Sequence, residues 1–206
     1  MNLSKIVTIL LILGFFGYLI FLAPKVERPT QSTSATISGV VTNHIGDTIK
    51  FYAPDSTYIT VLDTATGVFT IEFEWDTAAN VNFFHGMEST KMYLQSGDDI
   101  KLTIDTEQFD ESISYEGSDE SSYYAWLYIT NENRVENFPN FFDAEDDVLD
   151  SLFDEYYKPF LVKAESFKES NSIFYNSILD GIEGSKEYIL NRRSALAALP
   201  QSGEVA

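Results

Sequence analysis

Between Thr36 and Glu116 apolar and polar residues alternate with a period of two, interrupted at intervals by turn residues. Phe69, Ile71, Phe73 and Trp75 alternate with Thr70, Glu72 and Glu74, while Ile100, Leu102 and Ile104 alternate with Asp99, Lys101, Thr103 and Asp105. Each segment therefore turns one face to a core and one to water. Further strands are predicted over Thr36 to Thr42, Thr48 to Ala53, Thr57 to Asp63, Ala79 to Phe84, Lys91 to Gln95 and Ser112 to Tyr115. Gly46-Asp47, Pro54-Asp55, Thr66-Gly67 and Gly97-Asp98 supply turn chemistry between several of them. About eight short strands spaced by roughly 8–12 residues predict an antiparallel β-sandwich or barrel.

After Gly117 the period becomes that of a helix. Leu149, Leu152, Phe153, Tyr156 and Phe160 form one apolar stripe, and Phe174, Ile178, Ile182 and Ile189 a second, after the capping candidates Asn171 and Ser172. Tyr123, Trp126, Leu127 and Thr130 predict a shorter helix starting near Ser118. Pro159 should kink the helix that carries the first stripe or start a separate one, because it lacks an amide proton. The expected class is α+β: a β domain over 30–117, a small helical bundle over 118–199, and a tail or linker over 200–206.

Ahead of these lies a different pattern. Ile6 to Ala23 is an unbroken run without charge, eighteen residues long. At about 1.5 Å per residue it reaches roughly 27 Å, close to the bilayer core. The run is long for a signal peptide and ends in Ala23-Pro24-Lys25 without a small-residue cleavage site, which favours an uncleaved transmembrane anchor within 1–29 over a cleaved signal or a core helix. Lys5 on one side and Lys25 with Arg28 on the other leave the charge rule for orientation nearly balanced. A short tail, an anchor and a long acidic domain is the order expected of a domain exported to the periplasm or cell envelope.

Composition narrows the partners. The chain carries 13 Lys+Arg against 32 Asp+Glu, a net −19, so nucleic acid and an anionic membrane surface are poor partners and a basic envelope protein is a better one. With 44% hydrophobic and 15% aromatic residues it can still bury a core, so the acidity belongs to a folded surface. There is no cysteine, which removes disulfides, thiolate metal sites and a thiol nucleophile, and only two histidines. No cofactor and no enzymatic site is expected.

The individual candidates read as structure. Glu72 and Glu74 share a strand face about 6.5–7 Å apart, a separation that suits glycoside chemistry but also a solvated face, the preferred reading. Asp143, Glu145, Asp146, Asp147 and Asp150 lack the spacing and glycine of a calcium loop and read as a helix N-terminus. His85 shares parity with Val81 and Phe83 and reads as a hydrogen-bonded core histidine; His44 sits in a turn. Phe138, Phe141 and Phe142 beside Pro139 are candidates for a surface docking loop, with packing across the sandwich–bundle junction the favoured alternative.

Four stretches carry a resemblance: Ile37-Ser-Gly39-Val-Val-Thr-Asn43, Thr66-Gly67-Val-Phe69-Thr-Ile71, Tyr93-Leu94-Gln-Ser-Gly97-Asp98-Asp-Ile100-Lys-Leu102-Thr-Ile104, and Ile113-Ser-Tyr115-Glu-Gly117 followed by Tyr123 and Leu127. In this order they resemble the N-terminal β domain that precedes the thioredoxin fold in TlpA/ResA-type thiol-disulfide oxidoreductases of Bacteroidota. Ser96 stands where that family favours proline and Ser122 where it favours asparagine. No W-C-x-x-C motif occurs through Ala206, so no catalytic residue is carried over. The resemblance implies a membrane-anchored accessory module. Its alternatives are the front part of a tethered oxidoreductase and, from 12 Tyr, 16 Phe and 2 Trp, a glycan-binding sandwich.

Overall fold

The computed structural model describes residues 33–198; the predicted anchor over Ile6 to Ala23 and the tail over 200–206 lie outside them. Among the described residues no helix is long and apolar enough to cross a membrane. Residues 33–198 form one compact α+β unit. The period change at residue 117 thus separates two layers of one body.

Eight strands form where alternation predicts them: β1 (Ser34–Thr42), β2 (Thr48–Tyr52), β3 (Thr57–Val61), β4 (Val68–Glu74), β5 (Ala78–His85), β6 (Glu88–Gln95), β7 (Asp99–Asp105) and β8 (Ser114–Glu116). They make two four-stranded sheets, ordered β4-β1-β7-β8 and β3-β2-β5-β6. Phe51, Phe69, Phe73, Phe83, Ile100, Leu102 and Ile104 fill the space between them and are almost fully buried. Phe51 contacts Phe73 and Phe83 edge-on at 5.4 and 5.5 Å between ring centroids.

The sandwich departs from the expected antiparallel arrangement at one place, because β1 and β7 run parallel, Ile37 opposite Ile100 and Gly39 opposite Leu102. The chain leaves the first sheet for β2 and β3, returns as β4, leaves again for β5 and β6, and then enters on the free side of β1 in the same direction. Alternation fixes which face of a strand is buried and says nothing of its direction. At Gly39 the ring of Phe69 lies across the glycine, 2.7 Å from where a Cβ would stand, and the Leu102 carbonyl blocks the same space. Only glycine lets three strands meet there.

A short helix α1 (Phe109–Ser112) precedes β8, so Ser112, expected to open that strand, ends a helical turn instead. Three long helices follow: α2 (Asp119–Asn137), α3 (Asp146–Ala164) and α4 (Ser172–Ala197). Ser118 caps α2, its hydroxyl accepting from the Ser121 amide. The helix runs further than its apolar residues predict. Pro159 neither ends nor divides α3, which continues through it. The Glu155 carbonyl that an amide at 159 would have bonded accepts instead from Arg134 Nη2 on α2 at 2.8 Å.

The helices join the sandwich through β6 and β8. Met92, Tyr93 and Leu94 are buried in succession, Met92 and Leu94 in the sandwich core and Tyr93 in the helical one with Tyr123, Phe160 and Phe174. Consecutive serines at the start of α2 then serve the two sheets. The Ser121 hydroxyl accepts from the Tyr93 amide at 3.0 Å and donates to its carbonyl at 3.1 Å, taking the place of a neighbouring strand. The Ser122 hydroxyl donates to the Tyr115 carbonyl on β8 at 3.2 Å. One helix N-terminus therefore satisfies an edge strand of each sheet.

Candidate functional site

The same junction leaves a groove of about 600 Å³ between the outer face of β5–β6 and the helices. Asn80 and Asn82, two apart on β5, face outward beside Lys91 on β6, the partner of Asn82 across the sheet. Tyr124, Leu127, Tyr128 and Asn131, spaced i, i+3, i+4 and i+7, bring one face of α2 to the groove. Ser177, Gly181 and Ser185, each four apart, bring the small face of α4. Tyr157 and Phe160 of α3 also line it.

The polar groups are held in place. The Tyr124 hydroxyl donates to Asn80 Oδ1 at 2.7 Å, and that of Tyr156 donates to Asn131 Oδ1 at 2.6 Å, so each amide has its oxygen occupied and its NH2 group left to donate. The Tyr157 hydroxyl bonds Ser185 Oγ at 2.7 Å. Burial, opposed by the bond to Asn80, pushes the Tyr124 phenol up to about 12. Tyr128 is 52% exposed at the groove, its phenol raised mainly by the charge of Asp110, with Glu132 and Glu88 adding to it. The Tyr124, Tyr128 and Tyr156 phenols, all raised, are neutral donors near pH 7.

A second cleft, of about 550 Å³, shares Tyr123 with the groove and is lined by Gln95, Asp98, Glu120 and Lys163 among others. Burial holds the Asp98 carboxyl above the usual range; the bond from the Gln95 amide, 2.7 Å long, opposes this and the Glu120 charge adds to it. Glu120 accepts from Asn171 Nδ2 at 2.8 Å. The neighbouring Tyr93 phenol is raised by burial, which the Asn171 side chain opposes and the charges of Glu120 and Asp98 reinforce.

The residues singled out by sequence lie elsewhere. Phe138 and Phe141 pack on α3, 5.1 Å from Tyr156 and 5.0 Å from Phe153, within the helical layer and not across its junction with the sandwich; Phe142 is 41% exposed. Arg193 of α4 straps their loop, donating to the Phe141 and Ala144 carbonyls and to Asp146. Glu72 and Glu74 are exposed on β4. Asp143 accepts from Asn140, which leaves the acidic run engaged at two positions. His85 is buried, Nδ1 bonding the Thr48 carbonyl and Nε2 accepting from the Ile45 amide, a pattern that requires the neutral ring with its proton on Nδ1. It clasps the β1–β2 connection.

Sequence reasoning did not find the groove. Its signals were the outward asparagines of β5 and the serine–glycine–serine spacing of α4, and neither indicates which helix faces which strand. No protein family, curated protein or solved structure matches this chain.

Proposed function

We propose that the protein is a membrane-anchored module of the cell envelope that works by binding and performs no covalent chemistry of its own. The observation that carries this reading is the groove, where three elements set fixed amide donors and tyrosines around an open space of about 600 Å³. This size and this mixture of apolar wall and few placed polar groups are those of binding sites. The uncharged run over Ile6 to Ala23 supports the anchor, and 10 basic against 31 acidic residues after Pro29, a net −21, support a basic protein as neighbour at the acidic outer surface. The resemblance to the domain that precedes the thioredoxin fold supports an accessory role beside thiol–disulfide chemistry.

The test has two arms on the full-length chain. In an insulin-reduction assay it should give no turnover, because attack on a disulfide needs a thiolate. In pull-downs from envelope extract, capture of a basic protein should fall as ionic strength rises. Thiol turnover, or capture indifferent to salt, would contradict the reading.

A further inference from the structure

We propose that the groove takes a neutral glycan, a short stretch of uncharged sugar; this rests on the reading of the protein as a binding module and names the ligand of its groove.

The first argument is charge. Acids outnumber bases 32 to 13 along the chain, yet the 17 described residues that line the groove include no carboxylate and a single cation, Lys91, whose ammonium lies 5.4 Å over the Tyr124 ring. A cationic ligand would find no counter-charge in the lining. An anionic one would meet one engaged lysine and, beyond Tyr128, the field of Glu88, Asp110 and Glu132. The lining itself offers no carboxylate to a cation and only a ring-stacked lysine to an anion, which suits an uncharged ligand best.

The second argument is the form of the polar groups. Sugar hydroxyls both donate and accept, and the lining matches them with groups of both kinds: the amide NH2 of Asn80 and Asn131 and the proton of Ser185, whose oxygen accepts from Tyr157, as donors, and the Ser177 hydroxyl, whose proton goes to the Phe174 carbonyl, as acceptor. The exposed ring of Tyr128 and the Leu127 side chain offer apolar surface to the C–H face of a sugar ring.

The third argument separates a glycan from an extended peptide. A peptide recognised by strand addition needs a free strand edge, but β5 is paired on both sides, and β6 has its outward groups occupied at Lys91, whose carbonyl accepts from the Tyr115 hydroxyl, at Tyr93 by Ser121, and at Gln95 by Asp98. The groove offers side chains and no ladder. Over Gly181 of α4 there is open space, with no atom within 4 Å of where a Cβ would stand, so a ring can approach the helix backbone.

The experiment uses the full-length chain, 15N-labelled, in a detergent without a sugar headgroup, titrated in turn with neutral trisaccharides of glucose, mannose, galactose, xylose and N-acetylglucosamine. At least one should shift the side-chain amide signals of Asn80, Asn82 and Asn131 saturably. Asn80→Ala and Asn131→Ala, both at exposed positions, should each weaken that sugar at least fivefold, and Gly181→Phe should abolish binding; Glu72→Gln should change nothing. If Gly181→Phe disturbs the fold, the two asparagine variants decide. Silence of all five sugars, or shifts confined to residues outside the groove, would overturn the proposal. None of these results alters where the protein fractionates, so the anchored-module reading fails or stands separately.

Discussion

Arg134 Nη2 on α2 donates to the Glu155 carbonyl of α3, the acceptor that Pro159 leaves without a helical donor. The guanidinium also lies 5.0 Å from the Phe138 ring and 5.2 Å from that of Tyr156, so one side chain repairs the proline's defect and closes over the aromatic loop. Arg134→Met should destabilise the protein by about 0.5–1.5 kcal/mol, the net range for one hydrogen bond, since the carbonyl is exposed and water can replace the lost donor. In a Pro159→Ala background, where the amide returns, the same substitution should cost about 1 kcal/mol less. Denaturant melts of the four proteins measure this coupling, and strict additivity would show that the arginine does not answer the proline.

Ser121 and Ser122 should differ in their effect. Ser121→Ala strands both the amide and the carbonyl of Tyr93 at a fully buried position, with an expected loss of about 3 kcal/mol. Ser122 shares its proton between the Tyr115 and Ser118 carbonyls, and the latter is already a helical acceptor for the Ser122 amide. Its alanine variant should lose about 1 kcal/mol. Equal losses, or the reverse order, would show that the hydroxyl at 121 does not stand in for a strand.

The parity of β4 gives a third test. Phe73 is 1% exposed and touches Phe51, Tyr58 and Trp75, so Phe73→Ala should cost about 3–5 kcal/mol. Glu74→Gln on the outer face should stay within about 0.5 kcal/mol. Comparable effects in urea melts would mean that the strand is turned over.

These elements also mark how far the sequence was legible. A two-layer core demands alternation, and all eight strands were readable from residues such as Phe69, Ile71 and Phe73. Direction was not, since the β1–β7 pair joins segments some sixty residues apart that carry no mark of polarity. Pro159 misled because its remedy, Arg134, lies on another helix. The Phe138–Phe142 run misled because a loop rich in aromatics says nothing about which layer receives it. The groove was illegible for the same reason: Asn80, Asn131 and Ser185 become neighbours only when sheet and helices dock.

Asp98 carries a pH dependence. Burial, set against the Gln95 amide and reinforced by Glu120, lifts its carboxyl above the ordinary value, so the folded chain holds this proton more tightly than the unfolded one. Stability contributed through this group is present at low pH and is lost as pH rises from about 4 through its folded value. Asp98→Asn keeps an oxygen for the Gln95 amide and removes the titration. Relative to the parent, the variant should therefore gain stability between pH 4 and 7, as read from melting temperatures. A difference that stays constant with pH, or shrinks, would contradict the assignment.

The most direct test of the account asks where the domain resides. Membranes from cells making the full-length protein would be washed in alkaline carbonate, and spheroplasts of the same cells would be treated with protease from outside. An anchor at Ile6 to Ala23 and an exported domain predict protein that stays in the carbonate-washed pellet and is digested in intact spheroplasts. Release into the carbonate supernatant, or protection from the protease until the spheroplasts are lysed, would contradict the account of an anchored envelope module.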